Sequence, residues 1–315
     1  MTKQSGLGDA FWVGGNDISG DVQTVKVASP IAVLDSTDIT QSANSRLYGH
    51  RDGTMDLTVF MDPTVAHPVL SALPTADTLM TYARGTTLGN PAACLEAKQI
   101  NYDPTRATDG SLLITVQGQG DGFGLEWGVQ LTAGLRTDTA ATNGTSLDQG
   151  AGFSTPSVPA SLTPVTNTSP LPATVVISGG TMTAVVVNGV TVGTGAGTYT
   201  VPASGTITLT YTVAPTWTWT LQSAFGGQAY LQCTAFTGTD VTVHVQDSAD
   251  NSTFADVTGL VFTATTAAGT WQRLATANTA TLRRYVRVTT TTSGGFTSAT
   301  FAVVLNRNPV AGVVF

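Results

Sequence analysis

Few side chains in this sequence suit bond-making chemistry. Its 315 residues include three histidines (His50, His67, His244), two glutamates (Glu96, Glu126) and two cysteines (Cys94, Cys233). The histidines lie far apart, with no second ligand at the short spacing of a zinc site, so no metal centre is expected. General acid–base catalysis by carboxylates calls for a pair of acids about the substrate, and no such pair stands out. No Ser–His–Asp grouping has supporting context either. Gly118-Gln119-Gly120-Asp121-Gly122-Phe123-Gly124 is as glycine-rich as a phosphate loop. Such a loop must open onto a helix whose N-terminus holds the anion, whereas a strand pattern, Leu125–Val129, follows here. A hairpin turn is expected instead. Asp247, Asp250 and Asp256 miss the spacing of a calcium loop and read as a solvated turn. Both cysteines read as buried free thiols. The chain is expected to be no enzyme and to carry no cofactor.

The elements that position these residues follow from composition. Charged residues make up only 10%, against ~25% in an average globular protein. There are 57 Thr, 34 Gly, 3 Lys and 2 Glu; threonine favours strands, and the scarce residues are strong helix formers. The expected class is mostly β. No apolar run approaches the ~20 residues of a membrane helix, so no membrane anchor is expected. The opening residues are polar and glycine-rich, and no export signal is seen. Residues 1–150 hold 16 acidic and 8 basic side chains, net −8, and residues 151–315 hold 4 and 5, net +1. An acidic front half opposes tight sequence-independent DNA binding, which needs lysine or arginine on the phosphates.

In the front half, Val22–Val27 reads as a strand with Ile31–Leu34 as its partner. Asp35–Gly53 reads as a long polar loop, a length more often functional or disordered than incidental. Thr54–Met61 alternates, with Met55, Leu57, Val59 and Met61 on one face. One short helix is expected from Pro68 to Leu73, with Pro68 first and Pro74 as the stop. Strands follow at Leu79–Arg84, Ala93–Tyr102, Leu112–Gln117 and Leu125–Leu131, with turns at Asp103-Pro104 and Asp109-Gly110. Beyond a Ser/Thr/Pro-rich stretch, Val185-Val186-Val187-Asn188-Gly189-Val190-Thr191-Val192 is a hairpin signal, because Asn-Gly tolerates the positive φ of a type I′ turn. Trp217 and Trp219 are expected in a small core. Val241, Val243 and Val245, Arg284–Val288 and Thr300–Val304 mark a last group of short strands, typical of a sandwich.

Leu47-Tyr48-Gly49-His50-Arg51-Asp52-Gly53 runs into Met55–Met61 and Asp62-Pro63. His67-Pro68-Val69-Leu70-Ser71-Ala72-Leu73-Pro74, Lys98-Gln99-Ile100-Asn101-Tyr102-Asp103-Pro104, Gly124-Leu125-Glu126-Trp127-Gly128 and Arg136-Thr137-Asp138 follow in order. Through these stretches the front of the chain resembles the major tail protein, or tail tube protein, of long-tailed siphovirus-type bacteriophages. Gly226-Gly227-Gln228-Ala229-Tyr230-Leu231 through Arg283-Arg284-Tyr285-Val286-Arg287-Val288 is similar to a galactose-binding-type β-sandwich that decorates such proteins. In relatives of that kind a stretch like Thr145-Ser146-Leu147-Asp148 leads directly into the sandwich, whereas here residues 156–222 intervene. The expected division is therefore a tail tube β-sandwich or barrel with one short helix at 1–138, a galactose-binding-like sandwich at 139–155 plus 223–315, and an inserted immunoglobulin-like sandwich at 156–222.

The resemblance implies a structural virion protein, made in the host cytoplasm. Its rings, commonly of six subunits, stack into a tube that delivers the genome. The implied partners are further copies of itself, the tape measure protein and tail-end proteins, with genomic DNA in transit and not bound tightly. Six front halves at −8 would carry roughly −48 per ring, repelling a polyanion. Asp56 and Glu96 are the expected lumen residues. The 35–53 segment is expected to reach the next subunit, using Asp38, Arg46, Tyr48, His50, Arg51 and Asp52. Trp271 and Tyr285 are the candidate stacking platforms for host surface glycans, although both also suit a core. The competing class is a secreted bacterial surface adhesin or carbohydrate-binding protein; a glycan-cleaving enzyme lacks its carboxylate pair.

Overall fold

A computed structural model describes residues 5–72 and 76–308, and it is mostly β as expected. The front is built on β1 (Ala10–Val13), β2 (Val22–Ala28), β3 (Ile31–Asp35), β4 (Arg46–Arg51), β5 (Thr54–Phe60), α1 (Ala66–Leu70), β6 (Thr78–Ala83), β7 (Pro91–Gln99), β8 (Asp103–Arg106), β9 (Leu112–Gly120) and β10 (Glu126–Gln130). Antiparallel pairing in the order β2–β5–β9–β7–β6–β1 curls this sheet into a barrel that stays open between β1 and β2. Alternation decides its interior: Met55, Leu57, Val59, Ile114, Val116, Leu95, Met80 and Phe11 point inward and are at most 2% exposed. Leu70 of α1 joins the same core.

Several expectations for this region change. The partner of β2 is β5, and β3 pairs instead with β4, so the supposed loop contains a strand. β5 takes the place at β2 because its alternating apolar face is buried in the barrel, whereas every residue of β3 is exposed. Asp103-Pro104 opens a strand, not a turn, since β8 pairs with β9; the turn lies at Asp109-Gly110, where Gly110 has φ +94°. The helix starts two residues early, so Pro68 sits third, still within the first turn whose N–H groups need no helical partner. It ends at Leu70, short of the expected Leu73, with the Ser71 N–H donating to the His67 carbonyl; Leu73 and Pro74 themselves lie outside the described residues.

The glycine-rich stretch 118–124 does not reverse the chain. The end of β9 and then β10 pair with successive parts of the same edge of β7. The stretch therefore offsets the strand instead of making a hairpin, and hands it from the barrel to the C-terminal part. There β10 pairs with the strand Ser298–Arg307, which pairs with Gly227–Thr237, which pairs with Thr270–Ala275. This extension packs on the outside of the barrel, where Trp12, Leu79, Ala83, Ala92 and Cys94 meet Tyr230, Ala302 and Val304.

Buried hydrogen bonds pin the two layers. Gln232 Nε2 donates to the Leu79 carbonyl (2.9 Å) and to Thr81 Oγ1 (3.1 Å), while its Oε1 accepts from the Gly15 N–H (2.6 Å). Gly15 has φ +77°, and a Cβ there would meet the backbone of Gly269 and Thr270 at 2.5 Å. Gly15→Ala is therefore expected to lower unfolding stability by about 2–3 kcal/mol in a urea titration, through strain and loss of this contact.

The C-terminal strands also face a second sheet, Val241–Ser248, Ala255–Val261, Tyr285–Thr292 and the short Leu147–Asp148, across a core containing Val243, Val245, Val286, Val288 and Phe301. Between Asp148 and the return to this region lie two further sheets around a separate core with Val175, Ile177, Leu209, Trp217 and Trp219. The two tryptophans meet edge to face at 5.4 Å. Asn188 (φ 48°) and Gly189 (φ 81°) make the expected turn between Thr181–Val187 and Val190–Gly193.

Candidate assembly surface

Outside all these cores stands a two-stranded ribbon. Among the described residues β3 and β4 pair only with each other, in the register Val33↔Tyr48, Leu34↔Leu47 and Asp35↔Arg46. Adjacent cross-strand pairs point to opposite faces, so Val33 with Tyr48 lines one face and Leu34 with Leu47 the other. Val33 is 57% exposed, Leu34 54%, Leu47 59%, Tyr48 85% and Ile39, in the turn, 103%. A lone ribbon is only marginally stable in water, and this one offers apolar side chains on both faces.

The arm is shaped by local polar bonds. Asp35 accepts from the Thr37 N–H and hydroxyl (2.9 and 2.6 Å), and Asp38 likewise from Thr40 (2.8 and 2.5 Å). These bonds hold both carboxyls below the usual aspartate range. At the root the Asp52 N–H donates to the Pro30 carbonyl (2.9 Å), and Asp52 Oδ2 accepts from Gln119 (3.2 Å). Arg46, Tyr48, His50 and Arg51 lie on β4, Asp38 in the turn and Asp52 at the root. The structure thus brings all six predicted residues into one projection. The apolar residues that dominate it, Val33, Leu34 and Leu47, were not singled out. Their signal was there: two short apolar runs flanking a Ser/Thr/Asp-rich turn.

Asp56 and Glu96 both face outward from the barrel. Asp56 accepts from Gln117 Nε2 (2.6 Å) and pairs with Lys26 at 3.5 Å. Lys98 is held by Asp77 (2.7 Å) and by Asp121. Glu96 lies beside the edge of the C-terminal layer, where burial raises its carboxyl above the usual value despite the nearby Arg273. With Asp52, the described residues of this face include five acids, with Lys26 and Lys98 each engaged by acids and Arg273 near Glu96.

The remaining candidates are dispersed. Trp271 is half-buried against the interlayer core, and Tyr285, on another sheet, lies under the Arg284 guanidinium at 5.0 Å. Asp247 accepts from the Arg283 N–H (2.7 Å), Asp250 caps Ser252 and Thr253 (2.9 Å each), and Asp256 bonds His244 (3.0 Å). Among the described residues no group of histidine, cysteine and acidic side chains could hold a metal ion. Both cysteines are buried and free.

One cluster escaped the sequence reading. Glu126, 3% exposed, accepts from the Tyr230 hydroxyl and from Arg273 Nη2 (3.3 Å); Arg273 Nε also reaches the Tyr230 oxygen (3.2 Å) and the guanidinium stacks 3.5 Å from the Phe123 ring centroid. Burial raises the Glu126 carboxyl, opposed by these two partners. The cluster ties β10 to the C-terminal layer. It sits within strands of ordinary pattern, and only tertiary pairing assembles it.

No family model matches the chain, and no curated protein matches it. Among solved structures it is similar to the Dit (gp 19.1) protein of phage SPP1, described as a paradigm of the hub adsorption apparatus in phages infecting Gram-positive bacteria. That match has 10% identity and a TM-score of 0.29, covering 95% of this chain and 99% of the other. A second similarity is to the baseplate of phage P2 in its activated conformation with Ca, with 12% identity and a TM-score of 0.23 over 96% and 99% of the chains.

Proposed function

We propose that this chain is a structural component of a phage tail that assembles with copies of itself through the β3–β4 arm. The carrying observation is the arm: a ribbon rooted on a barrel, with exposed apolar side chains on both faces, whose two strands pair with each other and with no other strand among the described residues. Exposed apolar patches of this kind mark interaction sites. Contacts made by an arm of one subunit on a different surface of the next are heterologous, and produce rings or filaments according to closure.

The finer reading follows the sequence resemblance. Rings, hexameric as the family resemblance implies, stack into a tail tube whose bore carries the acidic face around Asp56 and Glu96. A bore of that charge repels DNA, and only side chains within about 8 Å of it contribute at physiological salt. Arg46, Arg51, Asp38 and Asp52 set register between subunits. The middle sheets and the C-terminal sandwich decorate the exterior; tape measure and tail-end proteins close the assembly, and host glycans are the candidate ligands outside. Negative-stain electron microscopy of the purified protein at increasing concentration tests this. Rings or tubes are the expected result, and monomers at all concentrations overturn it.

A further inference from the structure

The open side of the barrel offers a place for that arm. β2 pairs with β5 along one edge only, leaving a seven-residue edge strand, Val22–Ala28, unpaired along the other among the described residues. Unpaired edges are templates for added strands, and proteins ordinarily protect them with charge, proline or a bulge. Here a register shift lies at the start of the strand, between Val22 and Thr24, and its one lysine, Lys26, is held by Asp56 on the β5 side, so Val25–Ala28 carries no proline or further bulge. Between β2 and β1 lies a groove of about 190 Å³, with Val22, Val25, Phe11 and Tyr82 on its apolar side. Those same side chains border the barrel core, so the seam is a place where the core meets solvent.

The surroundings of the seam have a sign. Asp21, at the start of β2, has a buried Oδ2 without a hydrogen-bond partner, and burial together with nearby Asp62 raises its carboxyl. Asp62 is already satisfied by the Thr64 N–H and hydroxyl (2.6 Å each) and the Val65 N–H (3.1 Å), so Asp21 Oδ2, next to Val22 of the groove lining, is the acidic oxygen left for a basic side chain from outside. The arm has complementary features: apolar Val33, Leu34, Leu47 and Tyr48 for the groove, basic Arg46 for Asp21, and strands of five and six residues for a seven-residue edge.

We propose that the arm of one copy adds as a strand to the β2 edge of a second copy and closes its barrel seam. Backbone pairing supplies affinity and the groove selects the side chains that alternate along the added strand. This rests on the proposed self-assembly and names its receiving surface.

Cysteine cross-linking tests it on the full chain. The native thiols are buried, and burial pushes Cys233 up to about 11 and Cys94 higher still, so neither competes. Exposed Gln23 or Thr24 of β2 is changed to cysteine together with exposed Val33, Leu34, Leu47 or Tyr48 of the arm, and assembled protein is oxidised mildly. Because each copy then carries both halves of the link, the expected product is a covalent ladder of dimers, trimers and longer chains from at least one pairing. Single variants stop at the dimer. Assembly seen by sedimentation with no ladder from any pairing overturns the seam as receiver while leaving self-assembly standing. Absence of assembly in the unmodified protein overturns both.

Discussion

Leu34→Asp with Leu47→Asp gives a folded protein that no longer assembles. Both side chains are more than half exposed in the single chain, so their loss costs its fold little. In an interface they become buried anchors, and truncating such an anchor typically costs ~2–4 kcal/mol, or ~30- to 1000-fold in affinity. Charge buried without a partner adds to that loss. Sedimentation velocity should show the variant as a monomer at concentrations where the parent forms large species, while thermal unfolding of the two is alike. Arg46→Ala with Arg51→Ala acts more weakly and mainly on the rate of association, because exposed charges steer and register more than they bind. Normal tubes from the Leu34/Leu47 variant would remove the arm from the assembly mechanism.

Arg273→Leu has the largest expected effect on stability. It strips Glu126 of its ion pair and the Phe123 ring of its stacked cation, leaving a carboxyl that is 3% exposed. Breaking a buried pair from one side costs about 3–5 kcal/mol, because the remaining charge keeps its desolvation penalty. The loss depends on pH. Burial already raises Glu126 above the ordinary glutamate value, and removal of Arg273 raises it further. In the window between the unfolded and the raised folded value, the native state holds a proton that the unfolded state has lost. Stability therefore falls as pH rises through that window, by at most about 1.4 kcal/mol per pH unit for one group. Arg273→Leu should thus be nearer the parent at pH 4 than at pH 7 in denaturant titrations. Glu126→Gln, which keeps an acceptor for Tyr230, should flatten this component. A penalty that does not change with pH would show that Arg273 contributes by packing alone.

The β class, the alternation of Met55, Leu57 and Val59, the Asn188-Gly189 turn and the buried Trp217 and Trp219 could all be read from the sequence, because each depends on a few neighbouring residues. A period of two sorts side chains to two faces, and positive φ selects Asn-Gly, whatever the rest of the chain does. Pairing is different. Nothing local tells β2 to choose β5 over β3, or makes β9 and β10 share one edge of β7; the choice belongs to whichever strands can bury a common face. The arm was recognised as a projecting segment by its polarity and position, but its two apolar faces emerged only when β3 was left without the barrel. Likewise Glu126, Tyr230 and Arg273, spread over 147 residues, become a cluster only because the strand Ser298–Arg307 joins the front and back of the chain in one sheet. Burial is a property of the assembled layers, and it was burial that decided which charges matter.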